Sequence, residues 1–216
     1  MVQLDLLIPE LMILALGIVA LVPTIRKWKD SKNRMYMAVI VYTSAVIGFA
    51  FFQAMAGLLD FDTNIKLMGA LRIGFILGYT LFLIQFEFIL YLRAYVKFYS
   101  LPFIITFYLI AGNLLIDSSM SFIIYAMILS YTPAYILLRD GKRNRNGLAI
   151  GMGLFFLIWG LGQTIPIILI TGILKVIATI TLLLGTRGFY EKYVFLDQEE
   201  EQKIMGTWIA KFVVKD

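Results

Sequence analysis

Residues 166–187 read PIILITGILKVIATITLLLGTR. The stretch has the length and apolarity of a bilayer-crossing helix, which needs about 20 residues, yet Lys175 stands near its middle. A lysine set against hydrocarbon at that depth costs at least ~2.5–3.5 kcal/mol. It must therefore face a bundle interior or a wet cavity, where such a residue marks a ligand, a partner or a pathway. Thr171, Lys175 and Thr179 are spaced by four and share one helix face, so the polar strip lies along a seam between helices.

The rest of the chain has the same character. Of its 216 residues 61% are hydrophobic and 15% charged, with a mean hydropathy of +0.86, more apolar length than one soluble core of this size can bury. The expectation is an all-α, multi-pass integral membrane protein, in the cell membrane if the source is a prokaryote, with the lipid bilayer as its first partner. The chain contains no cysteine and no histidine. That excludes disulfides, thiolate nucleophiles, Cys/His metal or haem sites and histidine acid–base chemistry, so no metal and no cofactor is expected. The net charge of +5 sits in short loops between apolar runs, a topology signal and not a nucleic-acid surface.

Seven apolar runs are expected to form spans, at about 6–25, 36–59, 67–92, 99–116, 119–138, 147–163 and 166–187. Alternate loops separate by charge. Arg26, Lys27, Lys29, Lys32, Arg34, Arg93, Lys97, Arg139, Lys142, Arg143, Arg145, Arg187 and Lys192 fall on one side, and Asp60, Asp62, Asp117 and Lys66 on the other. The positive-inside rule then puts the N-terminus outside and the C-terminus in the cytoplasm. A signal peptide is disfavoured, because the first run has acidic Asp5 and Glu10 at its start and its basic flank at its far end. IDSSM and GLGQTIP are tight joints between antiparallel neighbours; at the second, a re-entrant pair or one long kinked segment is the alternative. Residues 188–216 form a tail with Glu199, Glu200 and Glu201 and then Ile204, Trp208 and Phe212 at helical spacing. It reads as a short amphipathic helix on the inner membrane surface, or as a docking segment for a soluble partner.

An internal echo joins the halves. PTIRKWKDSK from Pro23 and PAYILLRDGK from Pro133 share a proline, a basic residue, an aspartate, a small residue and a lysine in register, 110 residues apart. Helix count, orientation, length and these two loops resemble the PQ-loop and SWEET-type carriers, with Thr24 and Ala134 where the PQ motif has its glutamine. The resemblance implies a parallel three-plus-one-plus-three bundle with a solute site between halves. Lys175 in helix seven is also superficially similar to the retinal-binding lysine of microbial rhodopsins. The middle of helix three, FILGYTLFLIQ, has no carboxylate to serve as its counterion.

Polar residues inside the spans supply the candidate ligand-binding set: Lys175, Arg72, Thr171, Tyr79, Gln163, Gln53 and Asn113. Unpaired polar groups are costly in lipid, so they are expected to converge on an outward-facing vestibule with Lys175 near its floor, suited to a small anionic or carboxylate-bearing solute. The competing reading is structural, with Arg72 paired to Glu10 or Asp117 and Lys175 satisfying a carbonyl at a kink. Glu10 and Asp117 read better as headgroup-level residues. Glu87 could exchange a proton as a coupled acid, but pairing with a cation such as Lys97 is the preferred reading. Gly74 to Gly78 and Gly147 to Gly151 have GxxxG spacing, which signals close helix packing. No Walker, dinucleotide, zinc or GxSxG motif occurs, and no catalytic residue is expected. A small-molecule carrier leads; a receptor relaying to a cytoplasmic partner and an accessory subunit of a membrane complex are the alternatives.

Overall fold

The computed structural model describes residues 4–58, 64–93, 96–116, 119–165 and 167–193, and contains no strand among them. The elements are α1 (Leu4–Ser31), α2 (Arg34–Leu58), α3 (Asn64–Arg93), a 3₁₀ turn (Val96–Phe98), α4 (Leu101–Ile116), α5 (Ser119–Arg143), α6 (Gly147–Thr164), α7 (Ile168–Thr186) and the short α8 (Phe189–Tyr193). Among the described residues, four helices, α1, α2, α6 and α7, are long and apolar enough to cross a membrane. The tail helix expected around Trp208 lies outside the described residues, as do Asp60, Asp62 and Asp117.

Several helices outrun their apolar stretches, because backbone hydrogen bonding continues where hydropathy stops. Helix α1 passes Ile25 and ends only where Lys32 takes a left-handed φ of 52°, a common way to close a helix. Asn33 Oδ1 then accepts from Met35 N–H at 2.8 Å, holding the start of α2. At the other basic loop Arg145 turns left-handed, with φ 48°, and Asn146 caps α6 by accepting from Ala149 N–H at 3.1 Å. Between α6 and α7 the backbone is extended at Ile165 and Ile167. The Thr171 hydroxyl lies 3.0 Å from the Gly162 carbonyl and 2.8 Å from that of Ile165, within donating distance of both.

Helices α1, α2, α3, α5, α6 and α7 follow one another around a closed ring, α7 returning to α1, while α4 packs outside it on α3 and α5. The centre is aromatic. Tyr42 of α2 meets Phe155 and Phe156 of α6 edge-on, with ring centroids 5.7 and 5.0 Å apart, and Trp159 stacks on Phe155 at 5.1 Å. Gln85 of α3 crosslinks this core: it accepts from the Tyr42 hydroxyl at 3.3 Å and donates to the Leu129 carbonyl of α5. Gln85→Leu is expected to cost about 0.6–1.7 kcal/mol, the measured range for hydrogen bonds between helices in a bilayer. Titrating purified wild type and variant with denaturant in mixed micelles checks this, and an unchanged midpoint would assign Gln85 no share in stability.

Polarity is inverted relative to a water-soluble protein. Glu10, Gln85, Ser130, Lys175 and Thr179 are buried, while Ile8, Leu11, Ile18, Phe107, Ile168, Ile173 and Ile177 are exposed. Contiguous exposed apolar surface on this scale is the mark of a molecule whose solvent is lipid.

At the basic-loop end α6 and α7 nearly touch. A Cβ built on Gly151 would lie 2.8 Å from Gly185 Cα and 2.9 Å from the Thr181 carbonyl oxygen. Lys27 reaches from α1 to donate to the Thr186 carbonyl at the end of α7, at 2.9 Å, where cations complement the helix dipole. Helix α8 folds back so that Tyr190 is buried, and burial pushes its phenol pKa above the ordinary value.

Candidate functional site

The site begins where α1 and α7 cross. A Cβ on Gly172 would sit 2.6 Å from Pro9 Cγ, so only glycine lets the two helices approach this closely. One turn on, Lys175 Nζ donates to Glu10 Oε1 at 2.9 Å in an ion pair whose side chains are 9% and 1% exposed. The contacts Pro9 to Gly172, Glu10 to Lys175 and Lys27 to Thr186 ascend together, so α1 and α7 run parallel.

Aromatic rings complete the setting of the ammonium. Phe49 of α2 and Trp159 of α6 each lie with ring centroids 5.5 Å from Lys175 Nζ, within cation–π range. Four helices thus converge on one charge. The backbone carbonyl of Lys175 accepts from the Thr179 hydroxyl at 2.8 Å, which anchors the next turn of the polar strip. The demand for partners is not fully met: Glu10 Oε2 and Trp159 Nε1 are buried without a hydrogen-bond partner among the described residues.

A cavity of about 200 Å³ adjoins the pair, lined by Asp5, Pro9, Glu10, Thr171, Gly172 and Lys175 together with Leu6, Ile165 and Ile168. It lies between the start of α1 and the α6–α7 joint. With Asp5 at its wall, the lining holds two carboxylates against one ammonium.

Of the residues expected to form the vestibule, Lys175 and Thr171 line this cavity, and Thr171 has its hydroxyl turned to backbone carbonyls. Tyr79 is elsewhere, buried with Phe82 and Leu129 in a second apolar cluster. Gln53 and Gln163 are half-buried and absent from the cavity lining. The side chains of Arg72 and Asn113 lie outside the described residues. Glu10 is a correction to the sequence reading: it is not a headgroup residue but the partner of Lys175. Its signal was depth. Glu10 is six residues past Leu4 and Lys175 seven past Ile168, or roughly 9 and 10.5 Å along two parallel helices at ~1.5 Å per residue. Among the described residues no ion pair joins Glu87 to Lys97, and Glu87 Oε1 is buried without a hydrogen-bond partner. The GxxxG pair at Gly147 and Gly151 packs as expected, Gly147 against Glu191 and Gly151 against Gly185.

Compared with known protein families, with curated proteins and with solved structures, the chain finds no match in any of the three.

Proposed function

We propose that the chain is a seven-span membrane protein, N-terminus outside, that binds a small zwitterion in the cavity beside Glu10 and Lys175 and carries it across the bilayer. The observation behind this is a buried pair of opposite charges, 2.9 Å apart, that adjoins a cavity of about 200 Å³ and keeps one carboxylate oxygen without a partner. A free lysine would call for an anion. Lys175 is not free, and that changes the class of ligand. An anion that took Lys175 would leave Glu10 buried and unmatched, and a cation that took Glu10 would strand Lys175; removing one partner of a buried pair costs ~3–5 kcal/mol. A solute with its own ammonium and carboxylate matches both groups at once. The volume falls below the ~300–1,000 Å³ of drug-sized sites, which limits the ligand to something near a small amino acid.

The charge asymmetry of the loops supports the orientation. The ring order supports two halves, because the offset that lays α1 on α5 and α2 on α6 also exchanges the joints α1·α7 and α3·α5. Carriage requires the pair to open and re-form as the solute leaves, which a neutral exchange of partners permits without ever exposing one charge to lipid.

The test is thermal stability of the purified protein against glycine-sized zwitterions, matched amines and matched carboxylates. A zwitterion at ~100 times its dissociation constant should add about 2.7 kcal/mol. Neither single-charge analogue should do so, and Glu10→Gln and Lys175→Met should each abolish the gain relative to their own baselines. Equal stabilisation by a single-charge analogue, or by nothing in the series, would sink the proposal. Uptake into liposomes by the protein alone is the second expected result; binding without uptake would move the same site to a receptor.

A further inference from the structure

A second cavity, of about 480 Å³, lies between α2, α3 and the start of α4, toward the basic-loop end, and shares no lining residue with the cavity beside Glu10. Its rim residues Met37, Val41 and Phe103 are 37%, 47% and 57% exposed, while Ala38 and Phe88 at its floor are buried. The opening is therefore sideways, through the apolar flank of the bundle. Its volume falls within the ~300–1,000 Å³ range of sites that enclose small molecules.

One group in the lining is out of keeping with the rest. Glu87 belongs to the wall, and its Oε1 is buried with no hydrogen-bond partner among the described residues. The lining around it is aliphatic and aromatic, and the Arg34 guanidinium rests over the ring of lining Tyr91 at 5.8 Å. A carboxyl oxygen left unmatched in apolar surroundings is expensive. Hydrocarbon chains alone would fill the groove and leave that cost in place.

We infer that this groove binds a lipid-soluble molecule whose apolar body fills the cavity and whose single hydroxyl or amino group donates to Glu87. The source is the bilayer, since the mouth opens to the flank. An anionic headgroup is excluded by sign, because the groove offers it a carboxyl oxygen. Depth excludes ordinary phospholipid polar groups as well: Glu87 is six residues before Arg93, or ~9 Å at ~1.5 Å per residue, below the level of the basic residues that mark the interface. The donor of the ligand must itself sit in the hydrocarbon layer, as that of a long-chain alcohol or amine does.

The experiment uses the full chain in nanodiscs, labelled by a diazirine-bearing long-chain alcohol and, separately, by the matching amine. Crosslinks are expected on α2 and α4 beside the groove. Dodecanol or dodecylamine should compete at least tenfold better than dodecyl methyl ether, and whichever of the two wins identifies the donor. Glu87→Leu should lose labelling at least tenfold, while Glu87→Gln, which still offers an acceptor, should keep it. The leucine variant is expected to fold, since it replaces a carboxyl with one buried, unmatched oxygen by an apolar group, and its melting temperature should be no lower than that of the wild type. A saturating glycine-sized zwitterion should leave labelling unchanged, which separates this groove from the site beside Glu10. Equal competition by the ether, or full labelling of Glu87→Leu, would overturn the inference and reduce the groove to acyl-chain packing.

Discussion

Lys175→Ala is expected to lower stability by about 3–5 kcal/mol, because it leaves Glu10 buried without its counter-charge. The size follows from burial: with side chains 9% and 1% exposed, neither water nor salt screens the pair. Glu10→Ala should cost a similar amount. The double variant Glu10→Leu with Lys175→Met should recover most of either loss, since replacing both charges by apolar groups of similar size is often neutral or stabilising. A double-mutant cycle of wild type, Glu10→Leu, Lys175→Met and the double variant reads the coupling directly. Additive single effects would mean that the two groups do not depend on each other. The charge-free variant has a further use as a folded protein that should bind no zwitterion.

The second large effect is expected at the α6–α7 crossing. Gly151→Val should cost about 3 kcal/mol, the upper part of the range for overpacking. The atoms that a Cβ would meet, Gly185 Cα and the Thr181 carbonyl oxygen at 2.8 and 2.9 Å, belong to backbone and cannot rotate away, so the helices must separate. Separation weakens the packing that holds helices together where no hydrophobic effect acts between them. Gly48→Ala is the control: nothing lies within 4 Å of its Cβ position, and losing a mid-helix glycine should stabilise by about 0.5–1 kcal/mol. If both substitutions shift stability alike in denaturant titrations, close approach is not what Gly151 contributes.

Depth along a helix was readable from the sequence, and direction around it was not. Lys175 and Thr171 declared themselves because an apolar run makes any polar residue conspicuous, and both line the cavity. Helices α2 and α3 are apolar on nearly every side, so no periodicity marks which face turns inward. For that reason Tyr79 and Gln53 could be assigned a level but not a neighbour. Glu10 failed differently: it was read at the headgroup level because which helix stands beside α1 depends on ring closure, a contact between residues 165 positions apart. Gln85 escaped notice because its value lies in joining Tyr42 to α5, a relation with no local signature. The glycines at 147 and 151 were legible as packing positions, though the identity of Glu191 and Gly185 as the surfaces they meet was not.

The bond that closes the ring also sets a clock on synthesis. Glu10 stands on α1 and Lys175 on α7, 165 positions later in the chain. At ~5–20 residues per second, Glu10 waits roughly 8–33 s for its counter-charge. Throughout that interval the nascent chain holds an unmatched carboxyl on its first helix, a state that chaperones and quality-control proteases of the membrane could recognise. Arrival of the seventh helix ends it. A ribosome that stalls before Lys175 would leave the acid unpaired, so the ion pair that steadies the bundle forms only once α7 has been made.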